Sequence, residues 1–195
     1  MPKNTSKSLP SVLVSACLQG ELCRYDAKLL KESSRKSLAI FDDKVRWVPI
    51  CPEQEGGLPT PRPAACFVGG SGDEVLDGSA SVRTLSVFDD VSAQFRLGAE
   101  RALEKAENEN CSLAILKARS PSCGRGQVYR RESADAEQLV APGDGVTAAL
   151  LLRNGVEVFS EENWRDALDR VHEMQQTARV QNSDAAQNSL TKDAT

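Results

Sequence analysis

Residues 11–17, Ser-Val-Leu-Val-Ser-Ala-Cys, contain a short apolar run at 11–16 that is directly followed by a cysteine. A continuous apolar run of this length is typical of a strand that is buried on both faces, as in a parallel sheet. Similar short runs follow along the chain, at 45–50, 112–117 and 156–159. The first run therefore predicts one strand of a buried parallel sheet, and the later runs predict its neighbours.

Helical patterns separate these predicted strands. They lie at 29–41, 91–109, 144–152 and 161–176. Asp144 is expected to cap the third of these helices through its side chain. The Gly- and Pro-rich segment 51–90 predicts a long excursion that contains one hairpin. Because strands that alternate with helices are typical of an α/β domain, we predict an α/β fold with a parallel sheet flanked by helices.

The composition is that of a single globular domain. Of the 195 residues, 40% are hydrophobic and 27% are charged. A chain of this length and composition can form one well-packed hydrophobic core but is too short to be expected to form two domains. Residues 1–10 and 178–195 are poor in large apolar residues, and we expect them to be disordered tails. The predicted domain therefore covers residues 11–177.

Charge and hydropathy argue against two classes of partner. The formal net charge of -4 and the pI near 5.2 disfavour a nucleic acid polymer, because proteins that bind one are usually basic. No apolar run approaches the roughly 20 residues that span a bilayer, and no apolar segment of a secretory signal follows the basic N-terminus. We therefore expect a cytoplasmic protein without a membrane partner, whose cysteines remain thiols.

Cysteines follow three of the predicted strands. Cys17 and Cys51 come directly after the first two strands, and Cys123 lies a few residues beyond the third. The carboxyl ends of parallel strands share one edge of the sheet, where ligands commonly bind, so these three thiols are expected to converge. A single intracellular cysteine is more often a packing residue than a ligand. Three cysteines at one edge favour a ligand site.

The other cysteines have weaker positional arguments. Cys111 precedes its strand, so it is expected at the opposite edge of the sheet as a packing residue. Cys66 lies within the long excursion, where its position favours neither role. Cys23 is close enough to Cys17 in sequence to join the site as a fourth thiol.

Three separated thiolates suit two kinds of metal centre. The Cys-x-x-Cys knuckles that mark most structural zinc sites do not occur in the chain. The three cysteines suit a zinc ion that keeps a water ligand, or a cubane cluster in which one iron has no protein ligand. The spacing of the cysteines leaves both alternatives open.

Six blocks of sequence, from about residue 11 to about residue 162, resemble the DUF523 or thiouracil desulfurase family in order and spacing. They are Val12-Leu-Val-Ser-Ala-Cys-Leu with Arg24-Tyr-Asp26, Val48-Pro-Ile-Cys-Pro-Glu, Gly56-Gly-Leu-Pro-Thr-Pro-Arg-Pro63, Gly98-Ala-Glu, Ala114-Ile-Leu-Lys with Ser120-Pro-Ser-Cys-Gly124, and Gly143-Asp-Gly-Val-Thr-Ala-Ala149. The chain departs from the family at Ala27, where members often carry glycine. It also lacks the usual Tyr-Asp-Gly-Thr-Phe-like stretch and has Tyr-Arg-Arg-Glu-Ser-Ala-Asp at 129–135, where the rim of the substrate pocket is expected.

The resemblance implies a Rossmann-like domain that holds a [4Fe-4S] cluster through Cys17, Cys51 and Cys123. It also implies an iron–sulfur-dependent enzyme that removes sulfur from a small thiolated pyrimidine, such as 2-thiouracil, without net redox chemistry. The family's functional carboxylate and serine correspond to Glu53 and Ser120.

The expected chemistry assigns a role to each polar residue. An iron without a protein ligand is a Lewis acid that can bind the substrate sulfur and polarise the C–S bond, so that water replaces the sulfur. Glu53 is expected to activate this water, and Ser120 to relay a proton or to hold the edge of the pyrimidine. Further candidate ligands of the ring, each of which could equally form hydrogen bonds within its own loop, are Arg24, Asp26, Arg62 and Lys117.

Two other functions would use the same cysteines. A carrier or regulatory protein that binds an iron–sulfur cluster or zinc without turnover would need the three thiols but not Glu53. A redox regulator that forms a disulfide between Cys17 and Cys23 would need no metal. Iron and sulfide analysis after anaerobic purification separates the redox regulator from the cluster proteins.

Overall fold

The computed structural model describes residues 9–32 and 36–192, with side chains up to residue 178 and at residue 180. The strands in this part of the chain are β1 (Ser11–Ser15), β2 (Arg46–Ile50), β3 (Ala65–Val68), β4 (Ser81–Thr84), β5 (Leu113–Leu116), β6 (Gln127–Arg130), β7 (Leu139–Pro142) and β8 (Glu157–Ser160). The α-helices described are α1 (Pro52–Glu55), α2 (Gly72–Leu76), α3 (Ser92–Asn108), α4 (Val146–Arg153) and α5 (Trp164–Lys192). Short 3-10 helices occur at Ala16–Gln19, Ala39–Phe41 and Glu161–Asn163.

The central sheet has the strand order β2-β1-β5-β8, and each neighbouring pair is parallel. Its strands coincide with the apolar runs that predicted them, within one residue at either end. The predicted α/β fold class, with a parallel sheet flanked by helices, is therefore confirmed. All four strands run in one direction, so the loops that leave β1, β2, β5 and β8 lie at the same edge of the sheet.

A second sheet has the order β4-β3-β6-β7 and mixes antiparallel and parallel pairs. The hairpin predicted in segment 51–90 corresponds to the antiparallel pair β3 and β4, with α2 between them. The pair formed by β6 and β7 was not predicted. In β7, Leu139 and Val140 are exposed, so this strand lacks the buried apolar pattern that reveals a strand in a sequence.

The helices agree with their predictions in part. Helix α3 matches the pattern at 91–109, but the cap of α4 is Gly145 and not Asp144, whose carboxylate instead accepts a hydrogen bond from the Gly126 N–H. The crossover helix predicted at 29–41 falls partly on residues 33–35, outside the described residues, and its end forms the 3-10 helix at Ala39–Phe41. Helix α5 starts at Trp164 and continues to Lys192, past the predicted end at 176.

The expected limits of the domain stay a prediction. Residues 1–8 of the predicted N-terminal tail lie outside the described residues, and the backbone of 178–192 continues helix α5.

Within the described part of the chain, no helix combines the length and the apolar character that a membrane crossing requires. The cytoplasmic location stays a prediction.

Two apolar layers cover the central sheet, one on each face. Val12 and Val14 of β1 pack in one cluster with Phe41 and with Ala167 and Val171 of α5. Leu13, between them in sequence, belongs to the cluster on the other face, which it shares with residues of α3 and α4. Successive side chains of a strand point to opposite faces, so β1 contributes to both layers. Both faces are covered, which leaves the carboxyl edge of the sheet as the place where loops can enclose a site.

Candidate active site at the carboxyl edge of the sheet

Four cysteines line one cavity of about 460 Å3 at this edge. Cys17 lies in the 3-10 helix that follows β1, Cys51 directly precedes α1 after β2, and Cys123 lies in a tight turn after β5. Cys23, on the loop beyond Cys17, completes the set. The three cysteines that the sequence predicted at this edge thus lie around one cavity. Cys23, which the sequence analysis named as a possible fourth thiol, lies there as well.

Tight backbone turns hold the thiols in place. The 3-10 helix with Cys17 ends at Gly20, which has φ 95° and whose N–H donates to the carbonyl of Cys17 at 3.3 Å. A left-handed residue of this kind is usually glycine, because a Cβ would be strained there. At the third thiol, the hydroxyl oxygen of Ser120 accepts hydrogen bonds from the N–H groups of Ser122 and Cys123, at 3.1 and 3.2 Å. Sequence-local hydrogen bonds therefore fix both turns.

The thiols affect one another. The Sγ of Cys51 donates a weak hydrogen bond to the carbonyl oxygen of Cys23, at 3.6 Å. A hydrogen bond with Cys17 raises the pKa of the Cys23 thiol to about 11, and one with Cys23, together with burial, raises the pKa of Cys51. Burial raises the pKa of the Cys123 thiol to about 12. Each thiol must lose its proton to bind a metal, so binding would release protons.

The donor set of the cavity fits an iron–sulfur cluster. Among the described residues, no three His, Cys, Asp or Glu side chains lie close enough together to hold a single metal ion. The cavity nevertheless carries four thiols, which are the soft ligands that clusters use, and each ligand of a cubane binds a different iron. The remaining cysteines do not line it, since Cys66 is buried within β3 and Cys111 packs in a core cluster before β5.

Glu53 enters the cavity from α1, two residues beyond Cys51. Its Oε2 accepts a hydrogen bond of 2.7 Å from the Nε of Arg62, and the two side chains are 17% and 4% exposed. The other carboxylate oxygen, Oε1, has no hydrogen-bond partner among the described residues. Glu53 therefore combines a fixed orientation with one oxygen that can accept a proton from a bound molecule.

Lys117 lines the cavity at the end of β5 and forms an ion pair with Glu161. Glu161 is the first residue after β8, its side chain is 3% exposed, and its Oε2 accepts a hydrogen bond of 2.6 Å from the Ala118 N–H. The hydroxyl of Ser15 accepts the N–H of Lys117 at 3.0 Å. These contacts hold the ammonium group at the cavity wall, although the sequence prediction did not include Glu161. Its position directly after a parallel strand is the signal that could have identified it.

Of the two remaining predicted substrate ligands, Arg24 and Asp26, only one lines the cavity. Arg24 lines the cavity and forms an ion pair of 3.1 Å with Asp26, which does not line it. Asp26 also accepts the N–H of Lys28, so it braces the turn that carries Arg24. Ala27 in this turn has φ 52°, in the left-handed region that favours glycine. A glycine would adopt this conformation without strain, which agrees with the glycine that the family resemblance led us to expect here. Two further residues of the cavity wall lie near the segment 129–135, whose sequence differs from the family pattern. Tyr129 is its first residue, and Gln138 follows three residues after its end.

A close contact between helices positions Glu53, and it yields a testable expectation. A Cβ added at Gly98 of α3 would overlap the carbonyl oxygen of Pro52 in α1. Gly98→Ala should therefore push α1 away from α3 and lower the free energy of unfolding by about 1–3 kcal/mol, as overpacking typically does. Denaturant unfolding of the purified protein measures this change.

The matched control is Leu97→Ala, one residue earlier on the same helix, where the side chain is 42% exposed. Its free energy of unfolding should stay within about 0.5 kcal/mol of the parent protein. Equal stability of Gly98→Ala and the parent would show that α1 and α3 are not in close contact.

Comparison with known proteins places this chain in a family. Residues 12–163 match the 2-thiouracil desulfurase family. The chain is 41% identical over 157 residues to the uncharacterized protein YbbK of Bacillus subtilis (strain 168), an alignment that covers 80% of this chain and 99% of YbbK. It also resembles the solved structure of the [4Fe-4S]-dependent thiouracil desulfidase TudS, with a TM-score of 0.65 and 36% identity over 82% of this chain and 97% of TudS.

Proposed function

Because the chain belongs to the 2-thiouracil desulfurase family, we propose that it removes sulfur from a small thiolated pyrimidine, such as 2-thiouracil. The observation that carries the proposal is the convergence of four thiols and one carboxylate in a single cavity at the carboxyl edge of the parallel sheet. In this proposal Cys17, Cys51 and Cys123 hold a [4Fe-4S] cluster. The similar protein TudS is described as [4Fe-4S]-dependent, which supports this choice of metal centre.

The cluster and the chain divide the chemistry. When bound, the cluster supplies an iron without a protein ligand, a Lewis acid that can hold the exocyclic sulfur of the substrate. The Oε1 of Glu53 accepts a proton from the water whose oxygen attacks the carbon of the C–S bond. The net change replaces a C=S bond by a C=O bond, with one water consumed and one hydrogen sulfide released. No electrons are exchanged with a redox partner.

The polar walls orient the ring. The Ser120 oxygen accepts two backbone N–H groups, so its own O–H remains able to donate to a substrate nitrogen or carbonyl. Lys117, held by the buried Glu161, places a cation beside the cavity that can bind the ring carbonyl. Arg24 contributes a second cation, which Asp26 orients. These three residues bind and orient the pyrimidine in the proposal, while Glu53 moves the proton.

The test of the function is a product balance. We expect the anaerobically reconstituted protein to convert 2-thiouracil to uracil and to release one sulfide for each uracil formed, as followed by chromatography and a sulfide assay. Uracil formation that required an added reductant would contradict the non-redox chemistry. A protein that retained its cluster but converted neither 2-thiouracil nor other thiolated pyrimidines would favour the alternative of an iron–sulfur carrier without turnover.

The metal content gives a separate expectation. We expect the anaerobically purified protein to be brown and to hold about four iron and four sulfide per chain, because thiolates that converge without a closed zinc geometry suit a cubane. Elemental analysis and an acid-labile sulfide assay measure both quantities. Stoichiometric zinc without iron would contradict the proposed cluster and would favour the zinc alternative.

A further inference from the structure

Arg62 is the most buried of the cationic side chains at the cavity, with 4% of its side chain exposed. A guanidinium group has five N–H donors and no acceptor. Four hydrogen bonds to the protein engage it: Nε donates to Glu53 Oε2, NH1 to the Pro59 carbonyl and the Thr60 hydroxyl, and NH2 to the Cys23 carbonyl. Arg62 therefore has little capacity left for a bound ring.

These bonds join three separate segments of the chain. The bond of 2.7 Å to Glu53 reaches α1, and the bond of 3.0 Å from NH2 reaches the carbonyl oxygen of Cys23 on the loop after β1. The backbone N–H of Arg62 donates to the carbonyl of Tyr25 on the same loop, at 2.8 Å. The Cys23 carbonyl also accepts the weak bond from the Cys51 thiol. One side chain thus ties the carboxylate to the loop and the thiols around it.

The position of the bonds determines what Arg62 does to Glu53. Only Oε2 of the carboxylate is engaged, so the guanidinium fixes the rotation of the group and leaves Oε1 without a hydrogen bond to the described residues. A charge-assisted hydrogen bond to a buried carboxylate is among the stronger and more directional contacts in proteins. A lysine could supply the charge but not the planar fork that reaches three segments at once.

We propose that Arg62 is a positioning residue, which orients Glu53 for proton transfer and does not bind the substrate. This inference rests on the proposed function, because it assigns the effect of Arg62 to the role of Glu53. Orientation errors of about 1 Å at a reacting group cost about 100-fold in rate. The loss of Arg62 should therefore lower kcat by about 10- to 100-fold and leave the KM for 2-thiouracil unchanged.

A double-mutant cycle tests the proposal. Glu53→Gln, Arg62→Gln and the double variant are compared by kcat and KM. If Arg62 acts through Glu53, the double variant is no slower than Glu53→Gln alone, because residues that act as a unit are not additive. In the Glu53→Gln background, Arg62→Gln should also leave the Kd of 2-thiouracil unchanged in calorimetry, a measurement independent of turnover.

The matched control is Arg153→Gln. Arg153 also forms four hydrogen bonds, to Asp73 and Asp77, but it does not line the cavity. This control should lose ion pairs and keep the parental kcat and KM. The comparison shows whether a change in kcat is specific to Arg62 or follows the loss of any arginine with several hydrogen bonds.

Each unfavourable outcome has a distinct meaning. A raised KM, a weaker Kd, or multiplicative losses in the double variant would make Arg62 a substrate ligand or an independent group, and would overturn the inference. A Glu53→Gln variant with the parental rate would overturn the proposed role of Glu53 and, with it, that of Arg62. If Arg62→Gln fails to fold, Arg62→Lys replaces it. Parental kcat in Arg62→Lys would show that charge without orientation suffices, which also contradicts the inference.

Discussion

Replacing Cys17, Cys51 or Cys123 singly by serine should remove the bound iron and the brown colour from the protein. Each of these thiols lies at the wall of the same cavity, and a serine oxygen is a poor substitute for a soft thiolate ligand of iron. In the proposal three protein ligands hold the cluster, so losing one leaves two irons without a protein ligand. Iron analysis and the visible absorption of anaerobically purified variants measure the effect.

The control uses the cysteines that lie elsewhere. Cys66 is fully buried in β3 and Cys111 packs in the core cluster before β5, and neither lines the cavity. Cys66→Ser and Cys111→Ser should keep the full iron content. Loss of iron in Cys111→Ser, with retention in Cys123→Ser, would move the metal centre away from the carboxyl edge of the sheet.

Glu53→Gln should retain the cluster and lose most of the turnover. Glutamine keeps the shape of the side chain, but its amide cannot take up a proton from water. General acid–base groups contribute about 10²–10⁴-fold in rate, so the desulfuration rate should fall by that order. Iron analysis checks that the cluster remains, and the rate of uracil formation measures the loss. This result distinguishes the enzyme from a carrier, which does not need the carboxylate.

A neighbouring carboxylate provides the control for this variant. Glu55 lies in the same helix, is exposed and does not line the cavity. Glu55→Gln removes the same charge from α1 and should leave the rate unchanged. If Glu53→Gln desulfurated 2-thiouracil at the parental rate, the Lewis acid alone would have to activate the water, and the assigned role of Glu53 would be wrong.

The central sheet was predictable because its strands are continuous apolar runs, and such runs reflect burial on both faces. In the second sheet the hairpin of β3 and β4 was predicted, but the pair of β6 and β7 was not, since β7 exposes Leu139 and Val140 and lacks a buried apolar pattern. The cap of α4 was predicted wrongly, because a contact between residues distant in sequence engages the predicted cap residue. Asp144 has the right residue type and lies one position before the actual cap, but its carboxylate serves the Gly126 N–H across the turn.

The sequence alone determined which residues reach the edge of the sheet. Cys17 lies two residues beyond β1 and Cys51 directly follows β2, and the lengths of a strand and of the turn after it depend on local residues. The tertiary structure decided which side chains become partners there. Arg62 meets Glu53 and Cys23, and Lys117 meets Glu161, across separations of up to 44 residues. Local sequence patterns do not predict such pairs. The partner of a charged side chain depends on which residues lie next to it after the apolar layers have packed.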